Sequence, residues 1–242
     1  MTTLKEVSYG TPYLSTGIVE DCFTPNKHTF VDKLITGNGF TSAYLNIPTT
    51  ESYKCNLIIV PNRQVIISKQ ESYHKDNNTD KIKIGFLYGD DSADGLEFNK
   101  FDVMMFVADS FINYIDRIKN NENYIDKLLI DESHTYLIQS SYRKALNQFQ
   151  KLVVDTFPTK AIVSVTATPM LSQVPNVVIR NKNILKRDIN VSQNQERTID
   201  RIQTDLRNNK KVIIALQDAR ILKKLTDKDN KLTANVKVGV TM

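Results

Sequence analysis

Apolar residues are grouped along the chain in short runs, separated by longer stretches of mixed polarity. The runs that predict buried strands are 31–35, 56–60, 102–107, 128–130 and 161–165, with an alternating strand over 81–88. Mixed stretches predict helices after Thr41, from Pro61 to about Tyr73, and over 109–119 and 139–156. Strands that alternate with helices predict βαβ units and a parallel sheet, which is an α/β fold.

The same pattern divides the chain into two parts. Residues 1–30 show no sustained period and predict an irregular lead-in to a first domain over 1–180. Residues 181–242 begin a second α/β lobe, with helices over 193–207 and 219–225 and strands over 211–216 and 236–240. These residues are too few for a complete lobe of ordinary size, so we expect a truncated or naturally shortened chain.

Two adjacent carboxylates, Asp131 and Glu132, follow the apolar run 128–130 directly. A buried parallel strand that ends in acidic residues places them at the carboxyl edge of a sheet, where open α/β folds bind ligands. One carboxylate near Mg²⁺ and a second near an attacking water are what phosphoryl transfer requires. The alternative is an acidic pair in an exposed loop, with no chemical role.

Polar residues also follow two other apolar runs. The run 161–165 leads into Thr166, Ala167, Thr168 and Pro169. The run 31–35 leads into a loop that contains Gly37, Asn38, Gly39, Phe40, Thr41 and Ser42. Glycines allow backbone N–H groups to wrap a phosphate, although a Gly-rich turn without a ligand is the alternative.

Asp131-Glu132-Ser133-His134 and Thr166-Ala167-Thr168 together resemble motifs II and III of superfamily 2 helicases, in their DExH branch (DEAD/DEAH-box type). The resemblance covers about residues 30–218. It implies a RecA-like parallel sheet of the P-loop NTPase type, with helices on both faces, and a partial second lobe. It also implies ATP and Mg²⁺ as cofactors and DNA or RNA, single-stranded above all, as the partner.

The resemblance assigns roles to these residues. Asp131 is implied to bind Mg²⁺ together with the Thr41 hydroxyl, and Glu132 to activate water. His134 is implied to couple the nucleotide site to the second lobe, and Thr166, Ala167 and Thr168 to link hydrolysis to lobe movement. The loop residues implied to bind nucleotide are Gly37, Asn38, Gly39, Phe40, Thr41 and Ser42.

Phe40 is the most serious departure from the family pattern. The phosphate-binding loop of this family has Lys at the position after Gly39, where its charge neutralises the β- and γ-phosphates. An aromatic ring cannot do so. Lys33, Arg63 and Lys69 are the cations that we consider as substitutes.

Two weaker matches to helicase motifs lie before the acidic pair and after Thr168. Residues 60–64 resemble motif Ia, in which Arg63 and Gln64 are implied to contact a nucleic-acid backbone. Residues 213–218 resemble motif IV, and motifs V and VI, the latter with its arginine, find no match. Near 107–111 we expect a helix cap formed by Asp109 or Ser110.

The charge distribution and the cysteine spacing limit the possible partners and the cellular compartment. The net charge of +5 arises from residues 180–242, which hold 15 Lys or Arg against 7 Asp or Glu. Such a surplus suits a phosphate backbone, or a solvated amphipathic helix. We find no signal peptide or apolar span, and Cys22 and Cys55 lack metal-site spacing. We therefore expect reduced thiols in a cytoplasmic protein without a membrane, and the Lys-, Asn- and Ile-rich composition suggests a phage or mobile element.

Two hypotheses of function follow. The first is an ATP-dependent helicase or translocase, an enzyme as part of a complete protein, which a missing C-terminal lobe or a partner protein would complete. The second is a degenerate helicase fold that has lost catalysis and serves as a nucleic-acid-binding or assembly module, as Phe40 suggests. The motor module of a restriction enzyme shares the same motifs.

Overall fold

The computed structural model describes residues 4–75, 82–88, 97–170 and 173–183, and single residues at 201, 204 and 208. The chain divides into two compact units, Met1–Ile184 and Leu185–Met242. The elements expected of a second lobe, including the motif IV residues 213–218, lie outside the described residues, except that Arg201 and Thr204 are helical. The domain boundary at 180 stays a prediction.

An eight-stranded parallel sheet forms the first unit. Its strands are β1 (Lys5–Tyr9), β2 (His28–Asp32), β3 (Cys55–Val60), β4 (Ile84–Leu87), β5 (Val103–Val107), β6 (Ile125–Ile130), β7 (Ala161–Thr166) and β8 (Val177–Asn181). Their order across the sheet is β1-β8-β2-β7-β6-β3-β5-β4, and every pairing is parallel. The prediction of a parallel α/β sheet is confirmed.

Helices cover both faces of the sheet, as predicted. They are α1 (Thr16–Glu20), α2 (Phe40–Leu45), α3 (Arg63–Lys75), α4 (Ala108–Asn113), α5 (Ile115–Asn120), α6 (His134–Gln139) and α7 (Phe149–Thr156). Side chains of α1, α2 and α3 share one core with one face of the sheet, and side chains of α4 to α7 share a second core with the other. Strands β3, β5 and β7 are buried along their whole length, because each face has its own helical layer.

Three expectations about local structure are wrong. The helix expected over 109–119 is two helices, since Tyr114 leaves the helical conformation between α4 and α5. The helix expected over 139–156 is α6, a 3₁₀ turn over Lys144–Leu146, and then α7, which follows the left-handed Gln148. Neither Asp109 nor Ser110 caps α4; the cap position is Val107, and the Asp109 carboxylate pairs with Arg143 instead.

The lead-in is also more regular than expected. It contains β1, α1 and the start of β2. Strand β1 lies at an edge of the sheet and pairs with β8, where Arg180 lies 3.5 Å from Glu6. Alternation in β1 is weak because most of its side chains are exposed. Among the described residues, the helices are all too short or too polar to span a membrane.

Candidate functional site

Strands β2, β7 and β6 are neighbours, and their carboxyl ends lie level with one another. Asp32 at the end of β2 is paired with Thr166 at the end of β7. Two backbone hydrogen bonds extend this register beyond the strands: Lys33 N–H donates to Thr166 O at 2.8 Å, and Ser133 N–H donates to Val165 O at 2.9 Å. The segments that follow the three strands are thereby brought together at one edge of the sheet.

Asp131 is the buried centre of this edge. Its Oδ2 accepts a hydrogen bond of 2.7 Å from Thr41 Oγ1, and its Oδ1 accepts one of 2.9 Å from the Glu132 N–H. Burial raises the pKa of Asp131 above its ordinary value, while the Lys33 charge and the Thr41 hydroxyl oppose that rise. The two residues that the resemblance assigns to Mg²⁺ are therefore in direct contact.

Lys33 is buried in the same cluster, with 4% of its surface exposed. Its Nζ donates to Glu132 Oε1 at 2.6 Å and lies 3.8 Å from Asp131 Oδ1. A buried ammonium is costly unless carboxylates compensate it, and here two adjacent carboxylates do so. The site thus contains a cation that does not come from the position after Gly39.

Two of the four non-glycine residues with positive φ in the described part of the chain belong to this site. Glu132 has φ 45° and Leu34 has φ 54°, both in the left-handed region that non-glycine residues seldom adopt. The Leu34 N–H donates to Asp32 Oδ1 at 2.8 Å, which closes a tight turn after β2. Such strain persists only where the surroundings enforce it, and it is frequent at functional sites.

Glu132, His134 and Thr166 form a polar chain that links the ends of β6 and β7. His134 Nδ1 lies 2.7 Å from Thr166 Oγ1 and 3.6 Å from Glu132 Oε2. Thr166 Oγ1 also accepts a hydrogen bond of 3.1 Å from the Thr168 N–H. Ala167 is half-buried and Thr168 is exposed, so the chain runs from the carboxylates to the surface.

The loop over 37–42 passes beside this cluster. Gly37 and Gly39 have φ 72° and 84°, a conformation that glycine adopts without strain. Asn38 is buried: its Oδ1 accepts the Phe40 N–H at 3.2 Å, and its O accepts the N–H of Leu14 at 3.0 Å. The loop is thus held in one conformation by hydrogen bonds.

Phe40 points away from the site. Only 1% of its surface is exposed, and its ring packs in the core beneath α2. Phe40 could therefore serve a nucleotide only through its backbone. Ser42, the last residue of the predicted set, is exposed and accepts a hydrogen bond of 2.9 Å from Lys69 Nζ.

Arg63 and Gln64 are exposed at the start of α3. The Arg63 guanidinium lies 4.8 Å from the centre of the Tyr88 ring, a cation–π geometry. The structure does not bring Arg63 to the carboxylates. The contact with nucleic acid that the resemblance implies for both residues stays a prediction.

The donor set suits Mg²⁺ bound with a nucleotide. Among the residues that the structure describes, no group of three or more His, Cys, Asp or Glu residues could hold a metal ion by itself. Mg²⁺ usually takes one or two carboxylates and completes its coordination with water and substrate phosphates. One buried carboxylate, Asp131, beside the Thr41 hydroxyl fits that pattern.

Sequence reasoning missed two supports of the site. Asp32 is buried and fixes the turn that aims Lys33 inward. Gln150 Nε2 donates to Ser133 O at 2.9 Å and so holds the residue after the acidic pair. The position of Asp32, a charged residue within an apolar run, could have indicated a role at the site. Nothing in the sequence around Gln150 indicated its contact with Ser133.

The all-parallel sheet, the loop after β2 and the acidic pair after β6 define the N-terminal lobe of a superfamily 2 helicase. The sequence matches a family model, ResIII, described as "Type III restriction enzyme, res subunit", over residues 14–171, and the chain belongs to this family. Membership implies a general dependence on a nucleotide and Mg²⁺. Helicase families in general bind nucleic acid.

A solved structure has a similar fold. The protein described as "DUF1998 helicase MrfA" matches with a TM-score of 0.62 at 15% sequence identity. The match covers 90% of this chain and 37% of that chain, so the chain spans little more than a third of that helicase. No curated protein matches the sequence significantly.

Proposed function

We propose that the chain acts as the nucleotide-binding lobe of a DExH-type helicase or translocase that hydrolyses ATP with Mg²⁺ to remodel DNA or RNA. The observation that carries the proposal is the contact of 2.7 Å between Thr41 and Asp131, with Glu132 next in sequence. A hydroxyl from the first turn of α2 and a carboxylate that follows β6 meet beside a second carboxylate, at the edge where α/β folds bind ligands.

The residues divide the chemistry among them. Asp131 and Thr41 would hold Mg²⁺, which when bound supplies positive charge to the β- and γ-phosphates. Glu132 orients the attacking water and accepts its proton at a carboxylate oxygen. The loop over 37–42 offers backbone N–H groups to the phosphates.

Communication with nucleic acid and with a second lobe is assigned to the polar chain. His134 contacts both Glu132 and Thr166, so a change at the acidic pair reaches the segment after β7. That segment ends in the exposed Thr168. Arg63 and Gln64 are exposed at the carboxyl end of the neighbouring strand β3, in position to donate to a phosphate backbone.

One observation favours a second function. The position after Gly39 holds a buried Phe40, which provides no charge. A lobe that binds nucleic acid or assembles with partners without hydrolysis would tolerate such a change. This alternative predicts no ATP turnover and no response to substitution of Glu132.

The test is ATP hydrolysis with and without single-stranded DNA or RNA, run beside equilibrium binding of ATP with Mg²⁺. We expect Glu132→Gln to abolish turnover while ATP binding persists. Glu51→Gln is the matched control, because Glu51 makes an exposed pair with Lys54 before the amino end of β3. Binding without turnover in the unaltered chain would favour the non-catalytic module, and absence of ATP binding would refute the proposal.

A further inference from the structure

The chain places a buried lysine at the candidate nucleotide site by an unusual route. Lys33 directly follows β2, before the loop over 37–42, whereas the resemblance expects a lysine at the end of that loop. The expected position holds Phe40, whose ring is in the core. We propose that Lys33 is the phosphate-binding cation of this site, held by Glu132 until a nucleotide takes it over. This inference rests on the proposed function.

The position of the Lys33 ammonium supports this assignment. A single carboxylate, that of Asp131, separates it from the Thr41 hydroxyl: Lys33 Nζ lies 3.8 Å from Oδ1, and Thr41 Oγ1 lies 2.7 Å from Oδ2. A phosphate bound beside Asp131 and Thr41 would be within reach of this ammonium. The charge therefore reaches the phosphates from the strand side of the loop.

The backbone of Lys33 is fixed by hydrogen bonds, whereas its side-chain ammonium can change partner. Its N–H donates to Thr166 O at 2.8 Å, and its O accepts a hydrogen bond of 3.4 Å from Asn38 Nδ2. The residue is thus tied both to β7 and to the loop. Four rotatable side-chain bonds leave the ammonium free to exchange one oxygen partner for another.

The other two cations are less well placed. Lys69 reaches the loop from α3 and donates to the hydroxyl of Ser42 instead of to the acidic pair. Arg63 stacks on Tyr88. Among these three candidates, Lys33 alone contacts both members of the acidic pair.

The ion pair between Lys33 and Glu132 has a consequence for catalysis. A carboxylate oxygen that accepts a hydrogen bond of 2.6 Å from an ammonium is not free to take a proton from water. Transfer of Lys33 to phosphate oxygens releases Glu132 at the moment when the substrate is in place. Binding of the substrate and readiness of the water-activating residue are thereby coupled through one side chain.

The first experiment measures the dissociation constants of ATP with Mg²⁺ and of AMP, which lacks the β- and γ-phosphates. We expect Lys33→Ala to weaken ATP binding by about 10-fold to 100-fold, the range of a lost charged hydrogen bond, and to leave AMP binding unchanged. Lys69→Ala and Lys33→Arg should bind ATP nearly as well as the unaltered chain. ATP binding that survives Lys33→Ala but is lost in Lys69→Ala would overturn the assignment.

The second experiment is a double-mutant cycle between Lys33 and Glu132. Glu132→Gln removes the competing carboxylate charge and should tighten ATP binding several-fold, an effect that should vanish when Lys33→Ala is also present. The double variant carries no uncompensated carboxylate pair; if Lys33→Ala alone fails to fold, the double variant is compared directly with Glu132→Gln and should bind ATP more weakly by about 10-fold to 100-fold. Equal effects of Glu132→Gln in both backgrounds would disprove the exchange. Failure of the unaltered chain to bind ATP would instead refute the proposed function itself.

Discussion

His134 Nδ1 lies 2.7 Å from Thr166 Oγ1, so the start of α6 is joined to the end of β7 by a side-chain hydrogen bond. Thr166 is fully buried, and its hydroxyl also accepts the Thr168 N–H. Thr166→Val keeps the shape of the side chain but removes both bonds. We expect the free energy of unfolding to fall by about 1–3 kcal/mol, the cost of buried polar groups left unpaired.

Denaturant unfolding measures this loss, and Thr166→Ser is the control because it keeps the hydroxyl. The serine variant should also retain stimulation of ATP hydrolysis by nucleic acid, whereas the valine variant should lose it with ATP binding intact. Equal stimulation in the two variants would show that the hydroxyl does not couple the segments.

The glycines of the loop allow a graded test of backbone strain. Gly39 has φ 84°, and a Cβ there would lie 3.3 Å from the Tyr13 side chain; Gly37 has φ 72° with open space around it. Gly37→Ala should cost about 1–2 kcal/mol from the left-handed conformation alone, and Gly39→Ala should cost more. Gly17→Ala, in helix α1 with nothing nearby, should instead stabilise the fold by about 0.5–1 kcal/mol. Thermal unfolding of the three variants gives the order, and a Gly37 variant less stable than the Gly39 variant would contradict it.

His28 predicts a dependence of stability on pH. Burial lowers the pKa of His28 below its ordinary value, and its Nε2 lies 2.8 Å from Ser164 Oγ. As the pH falls below 6.5, His28 is protonated in the unfolded chain while it is still neutral in the folded chain. The free energy of unfolding therefore decreases as the pH falls from 6.5 towards the lower pKa of the folded state. The slope from this residue cannot exceed about 1.4 kcal/mol per pH unit.

Urea unfolding at pH 8 and pH 5.5 checks this prediction by comparison with His28→Gln, which keeps a polar side chain but does not titrate. The loss of stability on acidification should be smaller in the glutamine variant. An identical loss in both proteins would assign the effect to other groups.

The two cysteines are expected to be unreactive in the folded protein. Cys22 and Cys55 are free and buried, and burial raises the pKa of Cys22 to about 12 and that of Cys55 further. Since the thiolate is the reactive form, a thiol reagent at pH 8 should label neither residue in the native state and both in guanidinium. Rapid labelling of either residue without denaturant would show that its part of the core opens.

The sequence predicted β3, β5, β6, β7 and the acidic pair because unbroken apolar runs behave the same way in any parallel sheet. The strand expected over 31–35 is displaced: β2 spans His28–Asp32, so Lys33 follows the strand. The run before Asp131 predicted a buried strand that ends at the carboxyl edge, and β6 confirms this strand. Strand β1 was missed because it is an exposed edge strand whose side chains make no clear pattern. Breaks at Tyr114 and Gln148 were missed because apolar spacing continues across them and tertiary packing decides the turns.

The role proposed for Lys33 could be suspected from the sequence, where Arg63 and Lys69 were equal candidates. The pairing of β2 with β7 and the left-handed turn at Leu34 place Lys33 beside the acidic pair. Neither feature can be predicted from the order of apolar and polar residues. The roles of Asp131, Glu132, His134 and the loop residues remain predictions that the variants above can test.

The pairing of β1 with β8 has a consequence for how the chain folds during synthesis. Glu6 and Arg180 are in contact across 174 residues of sequence, so the edge of the sheet is completed only after almost the whole unit has been made. Contacts between distant residues form slowly, because a long loop must close first. Until then the free edge of β2 can pair with other chains, and we expect the nascent chain to depend on a chaperone or on low concentration to avoid aggregation.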